Sequence, residues 1–207
     1  MKEVLLDNII NSIKKYYNYD NNKLLEIRYG LESLYLSITK IIVILLISIV
    51  IKTTKELLLL FLFYGLLRLT GFGAHAKKSI HCYFTSIPLF VLVPYLIKTI
   101  TINNYLLLII SIFSILLLSI YAPADTEKRP ILKRRKIYKI LTISISLIYL
   151  IIVIISNNTY IKNLLFFSIL IETILVLPIT YKLLGVKYNN YKRYMRKEDK
   201  KWNYLLV

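Results

Sequence analysis

The sequence is short of reactive side chains. Its 207 residues include one cysteine, Cys82, and two histidines, His75 and His81. A single cysteine cannot close an internal disulfide, so Cys82 is reactive, a packed small side chain, or a link to another chain. Acidic residues are scarce: 11 Asp and Glu stand against 28 Lys and Arg, giving a net charge of +17. No internal repeat, metal-ligand cluster or phosphate-loop pattern is present, so neither a metal nor a cofactor is expected. Glycine is limited to five residues, and three of them, Gly65, Gly71 and Gly73, lie in or just before the stretch Gly71–Ser86 that holds the cysteine and both histidines.

Apolar residues are abundant. They make up 57% of the chain and cluster into long runs with the lysines and arginines between them. A soluble domain is about half apolar or less. Long apolar runs with basic loops are the pattern of a multi-pass membrane protein. The basic charge is divided among loops, so membrane orientation accounts for it and no nucleic-acid partner is expected. The first apolar run follows a long polar segment, so no cleavable signal peptide is expected.

The expected fold is all-α: a multi-pass integral membrane protein with about six transmembrane or membrane-embedded helices and an N-terminal amphipathic helix. One membrane-embedded domain is expected over 1–207, with a cytosolic amphipathic segment at 1–30, spans within 33–184 and a basic tail at 185–207. In residues 1–23, Leu5, Leu6, Ile9, Ile10, Ile13, Tyr16 and Tyr17 share one helical face. That face can lie in lipid headgroups or pack on the protein itself. Six apolar segments follow at 33–51, 56–71, 83–100, 104–122, 137–156 and 162–184. The second and third are at or below the roughly 20 residues that cross a bilayer, so a shallow or re-entrant hairpin is an alternative there. If the N-terminus is inside, most cationic side chains fall in inside loops, and only Lys52, Lys55, Lys98 and Lys162 fall in outside turns. Both termini and the His–Cys stretch are then cytosolic. Arg68 lies near the cytosolic end of its segment. Glu172 is expected near the middle of the last span, where a charge needs a partner. Ser111, Ser114, Ser144 and Ser146 are read as helix-packing residues.

The chemistry rests on His75 and Cys82. On one unbroken helix these residues would sit roughly 10 Å apart along the axis, beyond the roughly 3 Å reach of a general base. Gly71 and Gly73 allow the chain to turn before His75, so that it can fold back toward a helix beginning near Ser79. Cys82 would then lie in the first turns of that helix, where the dipole favours a thiolate. His81 points about 100° away from Cys82 on such a helix, which favours His75 as the base. On spacing alone, a packed cysteine beside loop histidines is the plainer account.

Three stretches shift that balance: Gly-Ala-His-Ala at 73–76 with Cys82 seven residues after the histidine, Arg28-Tyr29-Gly30-Leu31-Glu32, and Tyr121-Ala122-Pro123-Ala124-Asp125-Thr126 leading to Pro130-Ile131. Together they resemble the AgrB-type (accessory gene regulator protein B) membrane peptidases. The resemblance implies a membrane cysteine endopeptidase that processes a small AgrD-type precursor into a cyclic autoinducing peptide for quorum sensing. It implies His75 and Cys82 as the catalytic pair. Arg68, Lys77 or backbone N–H groups near Gly73 could hold the oxyanion, and Asp125 could orient His75; spacing does not choose among these. The implied precursor has an acidic tail, which Lys133, Arg134, Arg135 and Lys136 could attract. The expected partners are the precursor and membrane lipids, and a homodimer is left open. The competing classes are a small multi-pass transporter, with Glu172 and Arg68 on its pathway, and a non-catalytic membrane scaffold.

Overall fold

The computed structural model describes residues 2–17, 19–74, 79–126, 131 and 134–192; the side chains of Ser33 and of residues 79–84 fall outside the described set. Regular structure among the described residues is helical, apart from isolated bridge residues that include the Phe72–Ala124 pair. Among the described residues, four helices are long and apolar enough to cross a membrane. The all-α membrane fold expected from the sequence is the fold observed.

The chain divides into two compact units, Met1–Ile47 and Ser48–Val207. The first contains α1 (Lys2–Tyr16) and most of α2 (Asn21–Val50). The Arg28–Glu32 stretch lies within α2 and ties that helix to α1. Arg28 pairs with Asp7 at 2.7 Å and Glu3 at 2.9 Å, and Lys2 pairs with Glu32 at 2.6 Å. Only Leu6 and Ile10 of the apolar face of α1 are buried; Leu5, Tyr16 and Tyr17 are exposed.

The second unit contains α3 (Thr54–Gly71), α4 (Ser79–Thr99), α5 (Asn104–Tyr121), α6 (Arg135–Ile155), α7 (Thr159–Val176) and the short α8 (Pro178–Leu183). Helix α7 is its axis. It contacts α3, α4, α5 and α6, and most of its residues from Asn163 to Val176 are buried. A helix apolar on every side can be buried this way. Its buried hydroxyls bond within the helix, Ser168 to the Leu164 carbonyl and Thr173 to the Ile169 carbonyl, both at 2.8 Å. Ser111, Ser114 and Ser146 are buried, whereas Ser144 is exposed and takes no part in packing.

The second and third apolar segments are the ones outside the four candidate spans. Helix α3 carries Lys55, Glu56 and Arg68, and α4 runs from Ser79 to Thr99 with Thr85–Thr99 as its described apolar stretch. The last segment differs more. It is not one helix over 162–184, because α7 stops at Val176. Leu177 is extended, and Pro178 opens α8. Proline disfavours helical geometry in the preceding residue and is itself suited to the first turn of a new helix. Glu172 therefore lies one turn from the end of α7 rather than mid-span, and Lys182 lies beyond the span altogether.

Candidate functional site

Within the second unit the ends of α3, α5 and α7 and the start of α6 meet at one end of the bundle, and residues 72–74, which leave α3, lie in this junction. Gly71 closes α3. The next three residues are not helical, yet their backbone groups are paired. Gly73 N–H donates to the Ala124 carbonyl at 2.7 Å, Ala124 N–H donates to the Gly71 carbonyl at 3.0 Å, and Ala74 N–H donates to the Leu175 carbonyl at 2.7 Å. The described start of the Gly71–Ser86 stretch and the 121–126 stretch, both singled out in the sequence, are thus joined through their backbones. Gly71, Gly73, Ala74 and Ala124 are buried, and the Phe72 ring meets Tyr138 edge-on at 5.1 Å.

Arg68 sits on the last turn of α3 and turns its guanidinium onto the same segment. It donates to the carbonyls of Phe72, Gly73 (3.3 Å) and Ala74 (2.9 Å). Its Nη1 lies 3.8 Å from Glu172 Oε2. Glu172 is fully buried and pressed against Gly71, where an added methyl would collide with the carboxylate. Glu172, expected near the middle of the last span, stands instead beside the segment that leaves α3. The break at Leu177–Pro178 brings the end of α7, and Glu172 with it, to the junction.

Helix α4 begins at Ser79, so Cys82 belongs to its first turn and His81 precedes it there. Their side chains, and residues His75 and Lys77, lie outside the described set.

Asp125 is not a solvated loop carboxylate. It is 1% exposed. Its Oδ2 accepts the Tyr191 backbone N–H at 2.7 Å, and Arg135 Nη1 stands 3.9 Å from Oδ1. Burial pushes the Asp125 carboxyl above its ordinary pKa, opposed by the Tyr191 N–H and the Arg135 charge. Arg135 also donates to the Pro123 carbonyl at 2.6 Å and lies 3.8 Å over the Tyr191 ring. The four cations at 133–136 therefore divide. Arg135 faces inward and fastens the 121–125 stretch to the segment around Tyr191. Arg134 and Lys136 are exposed, and Lys133 lies outside the described residues. Sequence reasoning missed the Asp125–Arg135–Tyr191 cluster, since nothing local marks one cation of four as inward. Pro178 was the available signal for the placement of Glu172.

The chain matches the family model for Accessory gene regulator B over residues 6–176. It is 38% identical over 177 residues to an accessory gene regulator protein B of Staphylococcus aureus, covering 85% of this chain and 94% of that protein. It is 34% identical over 196 residues to an AgrB-like protein of Clostridium acetobutylicum, covering 94% of both chains. An AgrB-like protein of Listeria innocua is 31% identical over 196 residues, covering 94% of this chain and 95% of its own length. No solved structure matches the chain.

Proposed function

The chain belongs to the AgrB family, the accessory gene regulator B proteins, and on that premise we propose that it is a membrane cysteine endopeptidase that cleaves an AgrD-type precursor and closes it into a cyclic quorum-sensing peptide. The observation that carries this reading is the Gly-Ala-His-Ala stretch leading to a helix that starts at Ser79, with Cys82 in its first turn and the backbone before His75 hydrogen-bonded on two sides. The first turn of a helix carries partial positive charge that stabilises a thiolate.

In the proposed reaction His75 accepts the Cys82 thiol proton. The thiolate attacks a precursor carbonyl, a carbon–sulfur bond forms, and the peptide bond breaks. The leaving amine takes the proton from His75 and departs with the precursor tail. The acyl group, now a thioester on Cys82, is attacked by a thiol or hydroxyl inside the precursor. The ring closes as a thiolactone or lactone, and the Cys82 sulfur leaves and is reprotonated. A thioester keeps acyl activation that hydrolysis would discard, so water must be excluded until closure.

The test is to trap the acyl-enzyme. A synthetic precursor whose internal ring-closing nucleophile is replaced by alanine should leave a covalent adduct on Cys82, released by neutral hydroxylamine. Cleavage of that peptide with no adduct on Cys82 would overturn the reading.

The cytosolic placement of this end is part of the proposal. Arg134, Arg135, Lys136, Lys139, Lys187 and Lys192 lie at the junction end, and Lys52, Lys55, Lys98 and Lys162 at the other, the imbalance that the positive-inside rule links to the cytosol. We assign capture of an acidic precursor tail to Arg134 and Lys136, which are exposed, and assign a bracing role to Arg135. Arg134→Gln with Lys136→Gln should raise KM and weaken its salt dependence while kcat is kept. Arg135→Gln should instead lower the unfolding midpoint, because it leaves the buried Asp125 without its cation, a loss on the order of 1–3 kcal/mol. Thermal unfolding in detergent, beside kinetics across a salt series, separates the two effects. Equal KM effects with no stability loss in Arg135→Gln would return Arg135 to the tail-binding set.

A further inference from the structure

Resting on the reading above, we infer that Arg68 and Glu172 form a positioning unit that fixes the backbone from which His75 extends. The starting observation is the shape of the segment. Phe72 and Gly73 both have positive φ, 62° and 97°, a conformation that a phenylalanine adopts only when its surroundings impose it. The carbonyls of Phe72, Gly73 and Ala74 converge on one guanidinium. A guanidinium carries five donors in a rigid planar fork, so it can gather several carbonyls and hold them in fixed relation. An ammonium presents a compact charge on a flexible stem and cannot reproduce that fork.

Glu172 is the second half of the unit. Both of its carboxylate oxygens are buried and have no hydrogen-bond partner among the described residues. Its nearest described cation is Arg68, at 3.8 Å. A buried carboxylate held this loosely costs stability, and a helix cap alone does not call for it: the Arg68 donors already satisfy the carbonyls beyond α3. Its negative charge stands 3.8 Å from Nη1, the nitrogen that donates to the Phe72 carbonyl, and biases which way the fork faces. Gly71 leaves the space in which the carboxylate lies. The residue after the clamped Ala74 is His75, whose distance from Cys82 decides whether the proton can move. Misplacement by about 1 Å in such a pair can lower a rate roughly 100-fold.

The experiment uses the full chain in lipid nanodiscs, with Arg68→Lys, Glu172→Gln and the double variant. Three quantities are read: the unfolding midpoint, kcat and KM for precursor cleavage, and the pH dependence of Cys82 alkylation by iodoacetamide. Arg68→Lys is expected to lower kcat roughly 10- to 100-fold with KM nearly unchanged, and to shift the pH profile of alkylation, because the imidazole no longer meets the thiol in its proper place. Glu172→Gln, isosteric and able to fold where truncation would not, should give a smaller change of the same kind. The double variant should be little worse than Arg68→Lys alone, since residues acting as one unit are not additive. A change in KM alone would make Arg68 a substrate contact and overturn the inference. So would a lower unfolding midpoint with kcat per folded molecule and alkylation profile unchanged, or strictly additive effects. Failure of the parent reading is distinct: it would show as undiminished cleavage in Cys82→Ala, whatever Arg68 and Glu172 do.

Discussion

Cys82→Ala is expected to abolish precursor cleavage, and His75→Ala to reduce it by roughly 10²- to 10⁴-fold, the usual worth of a positioned general acid–base. His81→Ala should keep substantial activity. The helix beginning at Ser79 is what separates the two histidines. Consecutive residues on a helix are set about 100° apart, which is the sequence-based ground for preferring His75 over His81 as the base. His75 instead follows a segment whose carbonyls are gathered by Arg68 and whose N–H groups are bonded to Ala124 and Leu175. That segment is built to hold one conformation, as a catalytic base requires and a passing loop does not. Cys82→Ser should be far weaker than the parent, because a hydroxyl titrates well above a thiol and the imidazole is matched to the thiol. Cleavage of a labelled precursor in proteoliposomes, normalised to membrane-inserted protein, provides the measurement. An inactive His81→Ala beside an active His75→Ala would exchange the roles of the two imidazoles.

The parts of this architecture that were legible in the sequence are those set by local chemistry. Gly71 and Gly73 marked the end of α3, and the described part of α4 runs from Ser79, after residues 75–78 outside the described set. Apolar runs located the helices, and length alone marked the second and third as the least certain spans; α3, which carries three charged side chains, is not among the four candidate spans. The break at 177–178 was legible in principle, since proline restricts the residue before it. It was overridden by continuous hydrophobicity across the site, and the position of Glu172 was misread with it.

What was not legible depends on pairing between distant stretches. Arg134 and Arg135 are neighbours of identical type, and nothing local says that one is exposed while the other reaches Pro123 and Tyr191. The distinction comes from the start of α6: Arg134 takes a left-handed conformation before the helix, and Arg135 is its first residue. Asp125 looked like an ordinary loop carboxylate because its partner N–H belongs to Tyr191, 66 residues away. Ser144 and Ser146 differ only in helical phase, and two residues of rotation carry one outward and the other into the core.

Gly73→Ala is expected to be the most damaging single-methyl change in the chain. Gly73 has φ of 97°, where an added Cβ costs roughly 1–2 kcal/mol by itself. The new methyl would also lie 2.9 Å from the Leu175 carbonyl oxygen and against the Arg68 guanidinium. The guanidinium is the end of a flexible side chain and can move, but the carbonyl belongs to the end of α7 and already accepts the Ala74 N–H. Moving it forfeits that hydrogen bond, about 1 kcal/mol net, and pulls the segment before His75 from its place. The total, on the order of 2–3 kcal/mol, is a large fraction of the stability of a typical domain, and cleavage should fall by roughly 100-fold or more in the molecules that remain folded. Gly185→Ala is the matched control. Gly185 also has positive φ, 64°, but nothing stands within 4 Å of the position a Cβ would take, so this variant should show the backbone penalty alone and retain its rate per folded molecule. Unfolding midpoints and single-turnover cleavage of the two variants side by side separate backbone strain from collision. If Gly73→Ala were as active as Gly185→Ala, close packing of residues 71–74 against Ala124 and Leu175 would not be what positions His75 for the proposed reaction.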